Sequence, residues 1–435
     1  MTRPTTVRFG ALAISTLLLA VACGDAAPSA SPTTAPPSPT AAPSATTAPS
    51  ASVAPSGSAG SRDVDATYDA IEAQVVELRG LDPVDVARQT IDATALGEKT
   101  TADFDQDNPP EYVAANEQLY RALGLLDEGQ SLRELFLRLL ESQVAGFYRP
   151  EEKTLYVVSR SGTVNGADKI TFAHEYDHAL QDSNFHVFDD FESLRDQSDE
   201  ALARAAIYEG DATLLMSLWA IPNLTPQELQ DVVAAGSDPE ANAILAETPA
   251  ILTESLLFPY DAGLAFLQPK QLGGGWAAVD QVFERLPTST EQVLHPEKYE
   301  SNEAPVEVTL PSDLAGGMGD GWTVAFQDTW GEFQTGVWLR GAGVAVADAT
   351  DAAAGWGGDR LALLQGPDGR WALAMRFAWD SGADADAFET AAGAAIKTAG
   401  GPAQVVPADE TTRWVLVASD DDALNSLASA AGLGG

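Results

Sequence analysis

Thr171-Phe-Ala-His174-Glu175-Tyr-Asp-His178-Ala-Leu-Gln181 is the stretch on which the reading of the whole chain turns. Its two histidines stand four residues apart, which on an α-helix puts both imidazoles on one face, one turn from each other. Two rings so placed can share a single metal ion. Glu175, next to the first of them, projects beside that position, where a carboxylate can hold and deprotonate a water. The chain has only four His, and three of them (His174, His178, His186) fall within 13 residues. The rival reading is an exposed helix with two solvated histidines. His186 sits in the loop Ser183-Asn-Phe-His-Val, where satisfying a loop carbonyl is the simpler role.

Two histidines do not complete a catalytic zinc site, which takes three protein ligands and a water. The best third ligand lies in Ala201-Leu-Ala-Arg-Ala-Ala-Ile-Tyr208-Glu209-Gly210-Asp211-Ala212-Thr213, which reads as a second helix. Glu209 comes 31 residues after His178, enough chain for a loop and a return. A carboxylate on a mostly apolar helix is costly to bury unless it is paired or ligated, and ligation explains this one. Gly210 costs a helix about 1 kcal/mol relative to Ala, so it implies a close helix–helix approach or open space beside a metal. Upstream, Val144–Tyr148 and Thr154–Ser159 read as two strands around the turn Arg149-Pro-Glu-Glu-Lys153.

His-Glu-x-x-His followed by a helix bearing Glu-Gly-Asp-Ala resembles the gluzincin zinc metallopeptidases, specifically their compact minigluzincin-like members, over roughly Leu125 to Tyr299. The resemblance implies Zn2+ bound by His174, His178 and Glu209, with Glu175 as the general base. Thermolysin-like enzymes carry Asn-Glu-x-x-Ser-Asp at the third ligand, whereas Asp211 here stands at +2 and not +4 from Glu209. Enzymes of this kind set an edge strand above the metal to pair with an extended substrate. Leu155–Val158 is the candidate for that edge, or else a strand that only packs on the helix. A remote His or Tyr often donates to the developing oxyanion. His295, in Leu286-Pro-Thr-Ser-Thr-Glu-Gln-Val-Leu-His295-Pro, takes that role or fixes its own loop, with Tyr208 and Tyr299 as alternatives. Phe258–Gly263 and Gly273–Trp276 look like a loop and helix walling a substrate groove. Asp177, inside the motif, reads as solvent-facing.

The remaining composition places the catalytic unit in a cell. With 64 acidic and 24 basic residues the formal net charge is −40, which argues against nucleic acid and anionic lipid headgroups as partners. Arg3 and Arg8 precede a short apolar run, Phe9–Ala22, in the pattern of an export signal. Leu19-Ala-Val-Ala-Cys23-Gly24 resembles a bacterial lipobox, although Ala20 stands where Leu is usual. Cys23 is the single cysteine, so it forms no internal disulfide. The rival is an ordinary secretory signal. Ser29–Ser61, almost wholly Ala, Pro, Ser and Thr, reads as a disordered tether.

The expected organisation is therefore a signal with lipidation at Cys23 (1–23), a linker (24–62), a helical metallopeptidase domain (63–303) and a C-terminal α+β region (304–435). In the third segment, helices are expected with the stripe Tyr68, Ile71, Val75, Leu78, over Val84–Leu96, over Glu111–Leu123, from the capping box Ser131-x-x-Glu134, and over Ala167–Asp182. In the fourth, strands are expected at Val306–Leu310, Trp322–Phe326, Leu361–Gln365, Trp371–Trp379 and Trp414–Ala418. Helices are expected there at Thr329–Arg340, Val344–Ala354, Ala383–Ala399 and Asp421–Ala431. Gly355-Trp-Gly-Gly-Asp-Arg360 reads as a structural turn. The fold class expected is α+β, mainly helical with a small sheet. The function expected is zinc-dependent hydrolysis of a peptide or protein substrate by a protein lipid-anchored outside the cytoplasm. The rivals are a non-catalytic peptidase-like lipoprotein that binds cell-envelope peptides, and an acidic surface lipoprotein without metal.

Overall fold

The computed structural model describes residues 13–16, 60–158, 164–189 and 191–434. Cys23 and nearly all of the Ala/Pro/Ser/Thr stretch lie outside the described residues. The chain is 62% helical and 15% strand in two small sheets, an α+β fold.

The first described segment is a strand, β1 (Ala13–Thr16). Helix α1 (Gly60–Arg79) buries Tyr68, Ile71 and Val75 and ends where Gly80, at φ 78°, lets the chain turn away. The helix expected at Val84–Leu96 is instead a strand, β2 (Ala87–Ile91), followed by helix α2 (Ala93–Asp107). β2 pairs in parallel with a later strand, and Asp92 starts α2 by accepting a hydrogen bond from Ala95 N at 2.9 Å. Tertiary pairing here outweighs the expected helix. Next come α3 (Pro110–Ala122) and α4 (Leu132–Gln143), the latter capped by Ser131 Oγ accepting from Glu134 N at 3.3 Å.

The hairpin β3 (Val144–Arg149) and β4 (Thr154–Val158) follows in antiparallel register, Gly146 opposite Val157. The sheet order is β1-β3-β4-β2. Leu155–Val158, read as an edge, is thus an interior strand. β3 and β2 take up its backbone groups on either side, and all five residues of β4 are buried.

Helix α5 (Gly166–Phe185) carries the His-Glu-x-x-His motif and is buried without break from Ile170 to Gln181. Asn165 and Asp168 form a reciprocal capping box at its start, and His186, at φ 55°, ends it. Helix α6 (Ser198–Asn223) carries Glu209 and is buried without break from Ala206 to Met216. Helices α7 (Pro226–Gly236), α8 (Pro239–Glu247), α9 (Ala250–Gly274), α10 (Trp276–Glu284), α11 (Thr290–Leu294) and α12 (Pro296–Ser301) complete this half. Phe258–Gly263, read as a loop, lies inside α9. That helix is long and apolar enough to cross a membrane, but Ile251, Leu252, Phe258, Phe266 and Leu267 are spent in the protein core.

Beyond it, residues 304–311 run extended outside both sheets, so the strand expected at Val306–Leu310 is absent. The stretch is held by Val306 N donating to Gly357 O at 2.6 Å. Then follow α13 (Leu314–Met318), β5 (Thr323–Asp328), α14 (Gly331–Gly341), α15 (Val346–Ala353), β6 (Trp356–Gln365), β7 (Trp371–Trp379), α16 (Gly382–Ala395), β8 (Ala403–Pro407), β9 (Thr412–Ala418) and α17 (Asp421–Ala430). The second sheet is antiparallel with order β5-β6-β7-β9-β8. Its alternating residues serve two faces. Ala362, Leu364, Ala372, Ala374, Trp414 and Leu416 pack under α13 and α17. Leu361, Leu363, Leu373, Met375, Phe377, Val415 and Val417 join a core that also holds Leu119, Leu139, Ile251 and Trp338. That core crosses residue 304.

Candidate metal centre

Helices α5 and α6 bring His174, His178 and Glu209 together. His174 Nε2 lies 3.1 Å from Glu209 Oε2, His178 Nε2 lies 3.3 Å from the same oxygen, and the two Nε2 atoms are 3.0 Å apart. Tetrahedral zinc with bonds of roughly 2.0–2.1 Å sets its ligand atoms about 3.3 Å from one another. The three side chains are nearly sealed from solvent, Glu209 the least so at 10% exposure. Three acceptor atoms converging in a buried space repel one another unless a proton or a cation stands between them, and two imidazoles with a carboxylate could hold a divalent metal ion.

The three groups shift one another's protonation. Burial pushes His174 down. Burial would also push His178 down, but the Glu209 carboxylate outweighs it and lifts the ring to about 9. Burial would raise Glu209, yet His178 and His174 hold it at about 2. Without a metal the cluster therefore keeps an ionised Glu209 balanced by the proton on His178, a proton that a bound cation would displace.

Glu175 is fully buried beside these groups. Strand β3 passes it so closely that a Cβ on Gly146 would fall 2.6 Å from Thr171 Cγ2, 2.9 Å from Tyr156 O and 3.3 Å from Glu175 Cγ. Only glycine admits that approach, and a Gly inside the strand pattern Val144-Ala-Gly-Phe-Tyr148 was the available signal for it. On the other side, the Tyr260 ring of α9 lies 6.1 Å from the His174 ring with the planes 21° apart. Nothing in the spacing of the sequence marks Tyr260.

The other aromatic candidates are engaged elsewhere. His295 Nε2 bonds Glu332 Oε1 at 2.9 Å, and its Nδ1 lies 3.8 Å from Glu297. Tyr299 donates to Arg285 O at 2.7 Å, and Tyr208 packs among Phe188 and Phe283. His186 closes α5 through its backbone, donating to Asp182 O at 3.1 Å. Asp177, read as solvent-facing, is fully buried and accepts from Gln181 Nε2 at 3.0 Å.

Two further acidic groupings have their own occupants. Glu291, Glu303 and Asp380 surround Lys298 Nζ at 2.6, 3.0 and 2.5 Å, so the ammonium is their cation. A cavity of about 690 Å³ runs beneath the extended stretch 304–313 and touches Asp199 and Asp359. These carboxylates accept from Thr290 and from Trp330, Gly331 and Trp356 respectively, which makes the cavity a junction between elements. Gly355–Arg360 belongs to this junction, its Asp359 tying β6 to the start of α14.

Residues 323–427, about a quarter of the chain, match the family described as Domain of unknown function (DUF8575). No curated protein and no solved structure matches the chain. The matched stretch holds none of His174, His178 and Glu209.

Proposed function

We propose that the chain is a zinc-dependent metallopeptidase, held by a lipid on Cys23 to the outer face of a bacterial membrane and acting on peptide or protein substrates. The observation that carries this reading is the convergence of His174 Nε2, His178 Nε2 and Glu209 Oε2 at 3.0 to 3.3 Å, with Glu175 next to His174 on α5. Zinc held there supplies Lewis acidity, lowering the pKa of water toward ~7 and polarising a carbonyl. Glu175 accepts the proton of the attacking water and passes it to the departing amine. Its burial excludes competing solvent from that exchange.

Strand β3 supports the choice of an extended substrate. It lies against α5 at Gly146, and the strand it pairs with on its outer side, Ala13–Thr16, belongs to the stretch read as the export signal. Removal of that signal leaves β3 with open backbone donors and acceptors beside Glu175, the arrangement by which a peptide adds to a sheet edge. His295, bonded to Glu332, is a weaker candidate for oxyanion stabilisation than Tyr260, whose ring flanks a ligand.

The second reading is a peptidase-like lipoprotein that binds envelope peptides without cleaving them. What favours it is the depth of the site: His174, Glu175 and His178 are at most 1% exposed. A peptide-library digest by wild type and Glu175→Gln separates the two. Cleavage by wild type that the variant loses supports the peptidase, and no cleavage by either supports the binding protein.

A further inference from the structure

The His178 ring is held from behind by groups drawn from three helices. Its Nδ1 lies 3.1 Å from Gln181 Oε1. The amide nitrogen of Gln181 donates among Asp177 Oδ2 at 3.0 Å, Tyr208 O at 3.0 Å and Asp211 Oδ2 at 3.1 Å. Three acceptors around one NH2 fix which way the amide faces, because the reverse orientation would set Oε1 against all of them. Oε1 can only accept. Nδ1 of His178 must therefore carry a hydrogen, so that in the neutral ring, the form that binds a metal, the lone pair is on Nε2, toward Glu209 and His174.

Two buried carboxylates side by side, Asp177 and Asp211, would be costly without a counter-charge. Arg79 supplies it from the last residue of α1. Its side chain is fully buried; Nε and Nη2 each donate to Asp211 Oδ2 at 3.2 Å, and Asp177 Oδ1 lies 3.9 Å away. Nη1 donates to Asp280 on α10 at 2.6 Å, and the Trp276 ring covers the guanidinium at 4.7 Å. A planar fork with several donors is what this arrangement needs, and Lys would serve it only in part.

We propose that Arg79, Asp177, Asp211 and Gln181 form a positioning relay that sets the tautomer and ring plane of His178. Helix α1 is then a permanent part of the metal centre and not a removable pro-segment. The relay rests on the reading that His174, His178 and Glu209 bind zinc.

Chelator competition gives the zinc affinity of the full chain and its variants, and the visible spectrum of the Co2+-loaded forms reports ligand geometry. Gln181→Ala is expected to keep its circular dichroism, lose about 10- to 100-fold in zinc affinity and shift the Co2+ bands. Arg79→Met is expected to weaken zinc in the same direction, with Arg79→Lys recovering part of the loss. If Gln181→Ala does not fold, Gln181→Met, which keeps the volume but loses both hydrogen-bonding ends, is measured in its place. Wild-type zinc affinity within twofold and unchanged Co2+ bands in the Gln181 variant overturn the relay alone. A folded wild type that takes up no zinc overturns the metal reading and the relay together.

Discussion

Gly263 lies directly on Gly210: a Cβ built on Gly263 would fall 2.9 Å from Gly210 Cα and 1.7 Å from the Ala206 carbonyl oxygen. Helix α9 thus rides backbone to backbone on α6, one residue past Glu209, and that seat sets Tyr260 against His174. Gly263→Ala forces the helices apart. Overpacking of this kind costs about 1–3 kcal/mol, so the thermal midpoint is expected to fall by a few degrees and zinc affinity to drop as Glu209 shifts. Thermal unfolding and zinc titration of the variant check this. No change in either would mean that the contact does not shape the site.

Glu175 and Glu209 are both buried carboxylates of one cluster, but their loss is expected to read differently. Glu209→Gln removes a charged ligand, so zinc measured by atomic absorption after dialysis is expected to fall well below one equivalent. Glu175→Gln is expected to retain zinc while peptide cleavage falls by about 10²- to 10⁴-fold. A Glu209→Gln protein that keeps its zinc would remove that residue from the ligand set.

Zinc that binds the folded chain and not the unfolded one adds stability by mass action, about 4 kcal/mol at a thousandfold excess over Kd. A chelator is therefore expected to lower the thermal midpoint, and zinc, but not magnesium, to restore it. A midpoint insensitive to chelator would argue that the three ligands hold no metal.

Much of this was legible in the sequence because it rests on short-range periodicity. The four-residue spacing of His174 and His178 survives any detail of packing, and β7 runs over Trp371–Trp379 as its apolar run indicated. The misses share a different cause. Ala87–Ile91, inside the helix expected at Val84–Leu96, is a strand because β4 offers a parallel partner, and β4 is interior for the same reason. β8, with two of its five residues valine and a proline at its end, shows its strand character only beside β9. Asp177 looked solvent-facing because no nearby residue announces Arg79, which lies 98 positions earlier. Long-range charge pairing leaves no local trace.

Asp199, Asp328 and Asp359 are expected to make stability depend on pH. Burial raises them to about 8, 7 and 6 respectively, against hydrogen bonds that pull the other way. A carboxyl with a folded pKa above its free value of 3.8 holds its proton longer folded than unfolded. Stability is therefore lost as pH rises from about 4 to about 8, and the wild-type thermal midpoint is expected to be higher at pH 5 than at pH 8. Asp199→Asn keeps an oxygen to accept from Thr290 and has no proton to lose, so its midpoint is expected to vary less over that range. Both proteins are measured in chelator, which keeps zinc release out of the comparison. A variant with the wild-type slope would show that Asp199 is not the group responsible.

The core that joins Leu119, Leu139 and Ile251 to Trp338, Leu363 and Phe377 makes the two halves depend on each other for folding. A break of the chain near residue 304 would leave each piece with an open apolar face. A large-to-small substitution at Trp338, which never approaches the motif, is therefore expected to lower the amount of folded protein that carries His174, His178 and Glu209.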